Sequence, residues 1–213
     1  MTIRRRVAFE LATVAVLTAV FLVVVPKRPV WVDGALGVFA MLFVAATARD
    51  TREQIWRPLA TARRDRVRHS WRDMLIATLV VAVLFAIIGR WTGRATPLVT
   101  ATMLATLVPF ALWATVQQVL FQFYLLGRLR ALMPAAPPPA PAALNGLLFG
   151  AVHLPDVEVT MLTCIGGAAW SWYYLRDQSL GPIVVSHAVL GTTYYYWVRG
   201  EDLLRQWLGT MRW

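Results

Sequence analysis

Cysteine occurs once in this 213-residue chain, at Cys164, which excludes an intrachain disulfide and any CxxC or zinc-ribbon pattern. Charge is scarce as well: 15% of residues are charged, acids number 11 against 21 Lys and Arg, and no carboxylate occurs from Met74 to Pro155. An ordinary soluble domain carries about 25% charged residues. Here 58% of residues are hydrophobic and the mean hydropathy is +0.57, which places the chain in lipid. In so apolar a chain, a net charge of +10 reads as arginine-rich loops against an anionic cytoplasmic leaflet, not as a nucleic-acid surface. The expected partners are therefore membrane lipids, with no nucleic acid and no cofactor.

Apolar stretches able to cross roughly 30 Å of hydrocarbon run from Val7 to Val25, Trp31 to Thr47, Met74 to Ile88 and Leu98 to Gly127. Shorter or interrupted ones follow at Ala142 to Leu154, Val157 to Leu175 and Pro182 to Val198. The pattern predicts an all-α polytopic membrane protein of about seven transmembrane helices around an intramembrane polar cavity, one membrane domain over 1–213 without an internal repeat. The first run follows Arg4, Arg5 and Arg6 but has no small-residue cleavage site, so it reads as a retained span. An N-terminus inside puts 14 of the 21 basic residues on the cytoplasmic side, which fits the positive-inside rule and an N-in, C-out topology.

Residues 49–73 mix eight arginines with Ile55, Trp56, Leu59, Val67 and Trp71, the make-up of a basic cytoplasmic amphipathic helix with aromatic anchors. Ala135 to Pro141 holds four prolines in seven residues and is expected to be an extended connector.

Polar side chains inside spans are costly and mark the place to look for function. Gln117, Gln118 and Gln122 lie on one long span, His153 near the end of the short one, and His187 on the last. On a helix Gln118 and Gln122 share a face, with Gln117 turned about 100° away. At about 1.5 Å of rise per residue, Gln118 lies roughly 15 Å from Arg128, and both histidines fall at similar depth. Glutamine and histidine also serve as plain interhelical hydrogen-bond glue, but three segments meeting at one depth favour a site. Two histidines fall short of the ligands a zinc ion needs, so no metal is expected.

Gln117-Gln118-Val-Leu-Phe121-Gln122 resembles, in spacing, the first motif of the CPBP family of intramembrane CAAX-type endopeptidases, where two glutamates precede an arginine. Phe149-Gly-Ala-Val-His153 is similar to the second motif, and His187-Ala-Val-Leu-Gly191 to the third, which ends in asparagine or a small substitute. Trp172 to Pro182 resembles the usual lead-in to that last motif, and the likeness covers a core at 113–198. The resemblance implies that Gln117 and Gln118 stand at the glutamate positions and Gln122 at the arginine. It likewise implies that His153 works with the water-activating glutamate, His187 and Gly191 stand at the oxyanion pair, and Phe121 and Phe149 contact substrate. The implied ligands are membrane-anchored or lipidated peptide C-termini, and the implied site is a bacterial cytoplasmic membrane.

The departures have a chemical meaning. A carboxylate can take a proton from water; a carboxamide can only hydrogen-bond to it. Loss of both glutamates together with the arginine forms a self-consistent neutral set, since a lone buried guanidinium would be costly. The expectation is weak or lost glutamate-dependent proteolysis in a protein that still binds peptide. The alternative is an active peptidase or sorting enzyme with rearranged chemistry, drawing on Cys164 as nucleophile or on Glu158 as carboxylate, although Glu158 is expected in an outer loop.

Overall fold

In the computed structural model the described residues are 7–12, 30–52, 56, 63–94 and 97–210, and their regular structure is all helical. The principal elements are α1 (Val30–Thr51), α2 (Arg63–Trp91), α3 (Ala101–Gln118), a π-helical segment (Val119–Leu125), α4 (Leu126–Leu132), α5 (Pro139–Ala151), α6 (Val157–Asp177), α7 (Leu180–Thr193), a second π-helical segment (Tyr194–Arg199) and α8 (Leu203–Thr210). Two helices are long and apolar enough to cross a membrane, His69–Trp91 and the continuous run Ala101–Leu132, and Gly34–Thr47 is a shorter apolar helix. On α2 the side chains of Leu75, Ile76, Leu79, Val80, Val83 and Ile87 are all exposed, a stripe that suits lipid and not water. Arg4–Arg6, residues 13–25 of the expected first span, and residues 53–55 and 57–62 of the basic 49–73 loop, Ile55 and Leu59 among them, lie outside the described residues.

Two expectations change in this region. Trp56, expected as a surface anchor, is 3% exposed; its indole Nε1–H donates to the Phe123 carbonyl at 2.9 Å and its ring meets Tyr174 edge-on at 5.0 Å. The proline-rich stretch is not an extended connector throughout, because α5 starts within it at Pro139. Proline has no N–H to lose in the first turn, where helical N–H groups have no partner anyway, so Pro139 and Pro141 begin the helix instead of blocking it.

The chain divides into two compact units. One holds the described residues of Met1–Arg28, Val38–Arg63 and Val119–Gln178; the other holds those of Pro29–Gly37, Arg64–Gln118 and Ser179–Trp213. The first is centred on the α5–α6 hairpin, whose closeness glycine makes possible. A Cβ on Gly146 would stand 2.5 Å from the Ala168 nitrogen and 2.6 Å from the Cys164 carbonyl, one on Gly150 would collide with the Cys164 sulfur, and one on Gly167 would stand 2.9 Å from the Phe149 ring. This is the small-residue crossing by which membrane helices approach backbone to backbone. Asp156 caps α6, its Oδ1 accepting from the Val159 N–H at 3.1 Å, and Glu158 follows in the first turn. The capping aspartate is what turns the expected loop position of Glu158 into helix.

The second unit packs α3 against α7 and carries α8 beside them. Phe110, Ala114, Ala188 and Leu203 form its buried apolar cluster, with Trp207, Tyr195 and Tyr196 on its flank. Tyr196 ties three segments: its hydroxyl lies 2.8 Å from the Thr106 hydroxyl and donates to Asp202 at 2.7 Å, ahead of α8.

Candidate functional site

The first motif straddles the two units: Gln117 and Gln118 end α3 in one, and Phe121 and Gln122 open the other. The helical ladder changes at that point to the wider π winding, which alters the i, i+4 register assumed for a plain α-helix and often accompanies functional sites.

In the unit holding α3 and α7, Gln118 is fully buried and its amide Nε2 lies 3.0 Å from Nδ1 of His187, itself 5% exposed. The Gln118 Oε1 is buried without a hydrogen-bond partner among the described residues. Gln117 is half-buried. The ring of Phe110 stands edge-on to His187 at 5.9 Å and stacks on Trp207 at 6.3 Å. Gly191, one turn along α7, faces that same ring so closely that a Cβ there would fall inside contact distance of Phe110. An asparagine at the end of the third motif would have no room, so Gly191 and Phe110 replace the usual amide donor with an aromatic wall.

In the other unit, Gln122 is fully buried and its Oε1 accepts from Asn145 Nδ2 at 3.3 Å. The same Asn145 nitrogen donates to the Ser171 hydroxyl at 2.8 Å, and Ser171 donates in turn to the Gly167 carbonyl at 2.6 Å. A neutral carboxamide network thus fills the place where the motif would put a guanidinium. Phe149 is fully buried beneath the histidine, with ring centroids 5.2 Å apart, and it meets Phe121 at 4.8 Å. These are the two aromatics expected to contact substrate, and here each packs against the other. His153 Nδ1 lies 2.8 Å from the Phe149 carbonyl. A carbonyl only accepts, so Nδ1 carries the proton and Nε2 keeps the lone pair, leaving a ring able to accept a proton.

The Cys164 thiol is wedged against Gly150 and its hydrogen bond goes to the Leu147 carbonyl at 4.0 Å. Glu158 is exposed. Among the described residues no three His, Cys, Asp or Glu side chains come together as a metal-holding group.

Several residues of these networks escaped sequence reasoning. Asn145 and Ser171 sit in apolar runs and were findable by the same polar-in-lipid criterion that singled out the glutamines. Arg128, expected in a cytoplasmic loop, is 4% exposed and pairs with Glu10 at 3.0 Å, while Tyr124 donates to the same carboxylate at 3.3 Å and lies under the guanidinium. Nothing in the local sequence joins positions 118 residues apart. One sign was available, in that Glu10 is an acid inside the first apolar run.

No curated protein and no solved structure matches the chain. Residues 95–193 match the model of the Rce1-like family, described as type II CAAX prenyl endopeptidase Rce1-like. That segment contains all three motifs and, with the two long apolar helices, supports an integral membrane protein. The resemblance carried by the glutamine and histidine motifs is therefore supported: over residues 95–193 the chain is similar to the Rce1-like, CAAX-protease-type family, a match consistent with CPBP family membership.

Proposed function

We propose that this chain binds membrane-linked peptide C-termini, lipidated ones included, in a CAAX-protease-like cavity whose glutamate-dependent proteolysis is weak or lost. The observation that carries this reading is the fully buried carboxamide of Gln118 against His187, where a water-activating carboxylate would otherwise stand. A carboxamide cannot take the proton from water, and general-base catalysis contributes typically 10²–10⁴-fold. The neutral Gln122–Asn145–Ser171 network supports the same reading, since every polar partner there is uncharged. The accompanying topology is about seven membrane segments with the N-terminus in the cytoplasm of a bacterial cell, and lipids as the standing partners.

A second reading, a peptidase with rearranged chemistry, draws support from one feature: His153 presents its lone pair at Nε2 and could serve as base without a carboxylate. Cys164 adds little to it, because its thiol is packed against Gly150.

The deciding experiment reconstitutes the protein in lipid with membrane-anchored peptides and follows cleavage by mass spectrometry. Wild type is expected to bind without cutting, and Gln117→Glu/Gln118→Glu/Gln122→Arg to cut. Cleavage by wild type that disappears in His153→Ala would refute the binding-protein reading in favour of the second.

A further inference from the structure

The first motif runs into a stretch of helix whose hydrogen bonds do not close among themselves. In an α-helix each carbonyl is met by the N–H four residues on, and in a π turn by the N–H five residues on. Where π winding returns to α, the carbonyls therefore outnumber the N–H groups by one. The π segment Val119–Leu125 returns to α winding at Leu126–Leu132, and Phe123 lies at that return. Its carbonyl accepts the Trp56 indole N–H at 2.9 Å, a bond between positions 67 residues apart.

The seat of Trp56 is shaped for that bond. Gly127 lets the indole lie against the helix, since a Cβ there would stand 3.2 Å from the indole nitrogen. Tyr174, on α6, meets the ring edge-on at 5.0 Å, and the amide of Gln178, at the end of α6, donates to the Trp56 carbonyl at 3.4 Å. All of these residues belong to one compact unit. A plain apolar ring would fill the same space, but it would leave the surplus carbonyl without a donor, which is costly away from water.

What this winding positions is Gln122, one residue before Phe123. Gln122 is fully buried, and its Oε1 accepts from Asn145. Closing the π stretch to α winding turns the side chains beyond it by about 100° and so carries them away from their partners.

We propose that Trp56 is a positioning residue for the first motif: its indole N–H takes the carbonyl that the π winding leaves over at Phe123, and so keeps Gln122 turned toward Asn145. Trp56 belongs to the basic 49–73 segment, so this one bond couples that segment to the motif. The inference goes beyond the peptide-binding reading and does not rest on it.

The pair Phe-Tyr occurs once in the sequence, at Phe123-Tyr124. Carbonyl-labelled phenylalanine combined with nitrogen-labelled tyrosine therefore marks a single peptide bond for NMR of the full chain in lipid. Trp56→Phe keeps an aromatic ring beside Tyr174 and has no N–H. The Phe123 carbonyl resonance is expected to move in that variant, and a resonance that stays in place overturns the proposal. Wild type gives a check of its own: in solid-state NMR a labelled indole nitrogen must lie in contact with a phenylalanine carbonyl, and absence of that contact overturns the proposal whatever the variants do.

A second readout separates positioning from packing. Deleting Leu120, a half-buried residue of the π segment, removes the extra residue and with it the surplus carbonyl. Trp56→Phe is expected to lower the Tm of the wild-type chain and to leave that of the Leu120-deleted chain unchanged or raised, because the indole N–H has lost its acceptor there. An equal loss in both backgrounds would make Trp56 a space-filler and overturn the proposal. Should the deletion fail to fold, the Gln122–Asn145 contact decides. The Tm losses of Gln122→Met and Asn145→Leu are expected to be non-additive with Trp56 in place and additive in Trp56→Phe. Non-additivity that survives in Trp56→Phe overturns the proposal equally.

Discussion

Placing asparagine at the end of the third motif, Gly191→Asn, is expected to destabilise the chain although it moves the sequence toward the motif it resembles. A Cβ at 191 would clash with the edge of the Phe110 ring. Phe110 is 8% exposed and held between His187 at 5.9 Å and Trp207 at 6.3 Å, so it has little freedom to swing aside. Forcing extra atoms into a packed core costs about 1–3 kcal/mol, against which replacing a mid-helix glycine returns only a few tenths. A net loss of about 2 kcal/mol corresponds to a fall of about 4–8 °C in Tm for a chain of this size. Thermal unfolding in detergent micelles, followed by circular dichroism, would measure it. The explanation also requires coupling: Phe110→Leu should be destabilising alone, yet the Gly191→Asn/Phe110→Leu pair should be at least about 1 kcal/mol more stable than the two losses added together. A Gly191→Asn variant with the Tm of wild type, or strictly additive losses, would refute the argument that Phe110 dictates glycine here.

Gly150→Ala should loosen the α5–α6 crossing by about 2 kcal/mol, and Cys164→Ala should rescue it only in part, because the Thr160 carbonyl would still lie 2.7 Å from the new methyl; equilibrium unfolding of the single and double variants checks this. Ser171→Ala takes away a partner of the buried Asn145 amide and should cost about 1–3 kcal/mol by the same assay, with Asn145→Leu/Ser171→Ala less severe than the sum of its parts. For Asp202, burial works to raise the carboxyl, but the Tyr196 hydroxyl, the Arg205 backbone N–H and charge, and the Thr102 hydroxyl outweigh it and hold the group below its ordinary 3.8. A depressed folded-state value gives stability that is present above the unfolded value and lost as pH falls below about 4. Asp202→Asn should accordingly flatten the acid limb of a stability-against-pH curve.

Composition and apolar run length were enough to read the all-helical membrane character, because lipid leaves the backbone few alternatives. The histidine and glutamine positions were legible for a related reason: a polar side chain in an apolar run stands out against its neighbours. What the sequence hid was pairing. The Glu10–Arg128 ion pair, the Asn145–Ser171 bond and the fit of Phe110 to Gly191 depend on which helices pack together, and no local pattern encodes that. Helix starts were misread where one residue type has two uses. Proline breaks a helix interior but suits its first turn, which is why α5 begins inside a stretch that read as extended.

The charge left in this region shows how far the departure from the family pattern extends. If neutrality at positions 117, 118 and 122 simply reflected intolerance of buried charge, Arg128 should not be where it is, buried on the same continuous helix as the first motif and paired with a half-buried Glu10. Removing one partner of such a pair costs about 3–5 kcal/mol, whereas removing both is often neutral. The chain therefore tolerates a buried guanidinium where a carboxylate meets it, and the absence of one at Gln122 follows from its company. Asn145 and Ser171 offer dipoles and no charge, so Gln122→Arg alone should be as damaging as breaking the Glu10 pair, and adding Asn145→Asp should recover much of that loss. Recovery without the aspartate would mean that Gln122 was not held neutral by its neighbours, and the case for a site rebuilt around carboxamides would then rest on Gln118 and His187 alone.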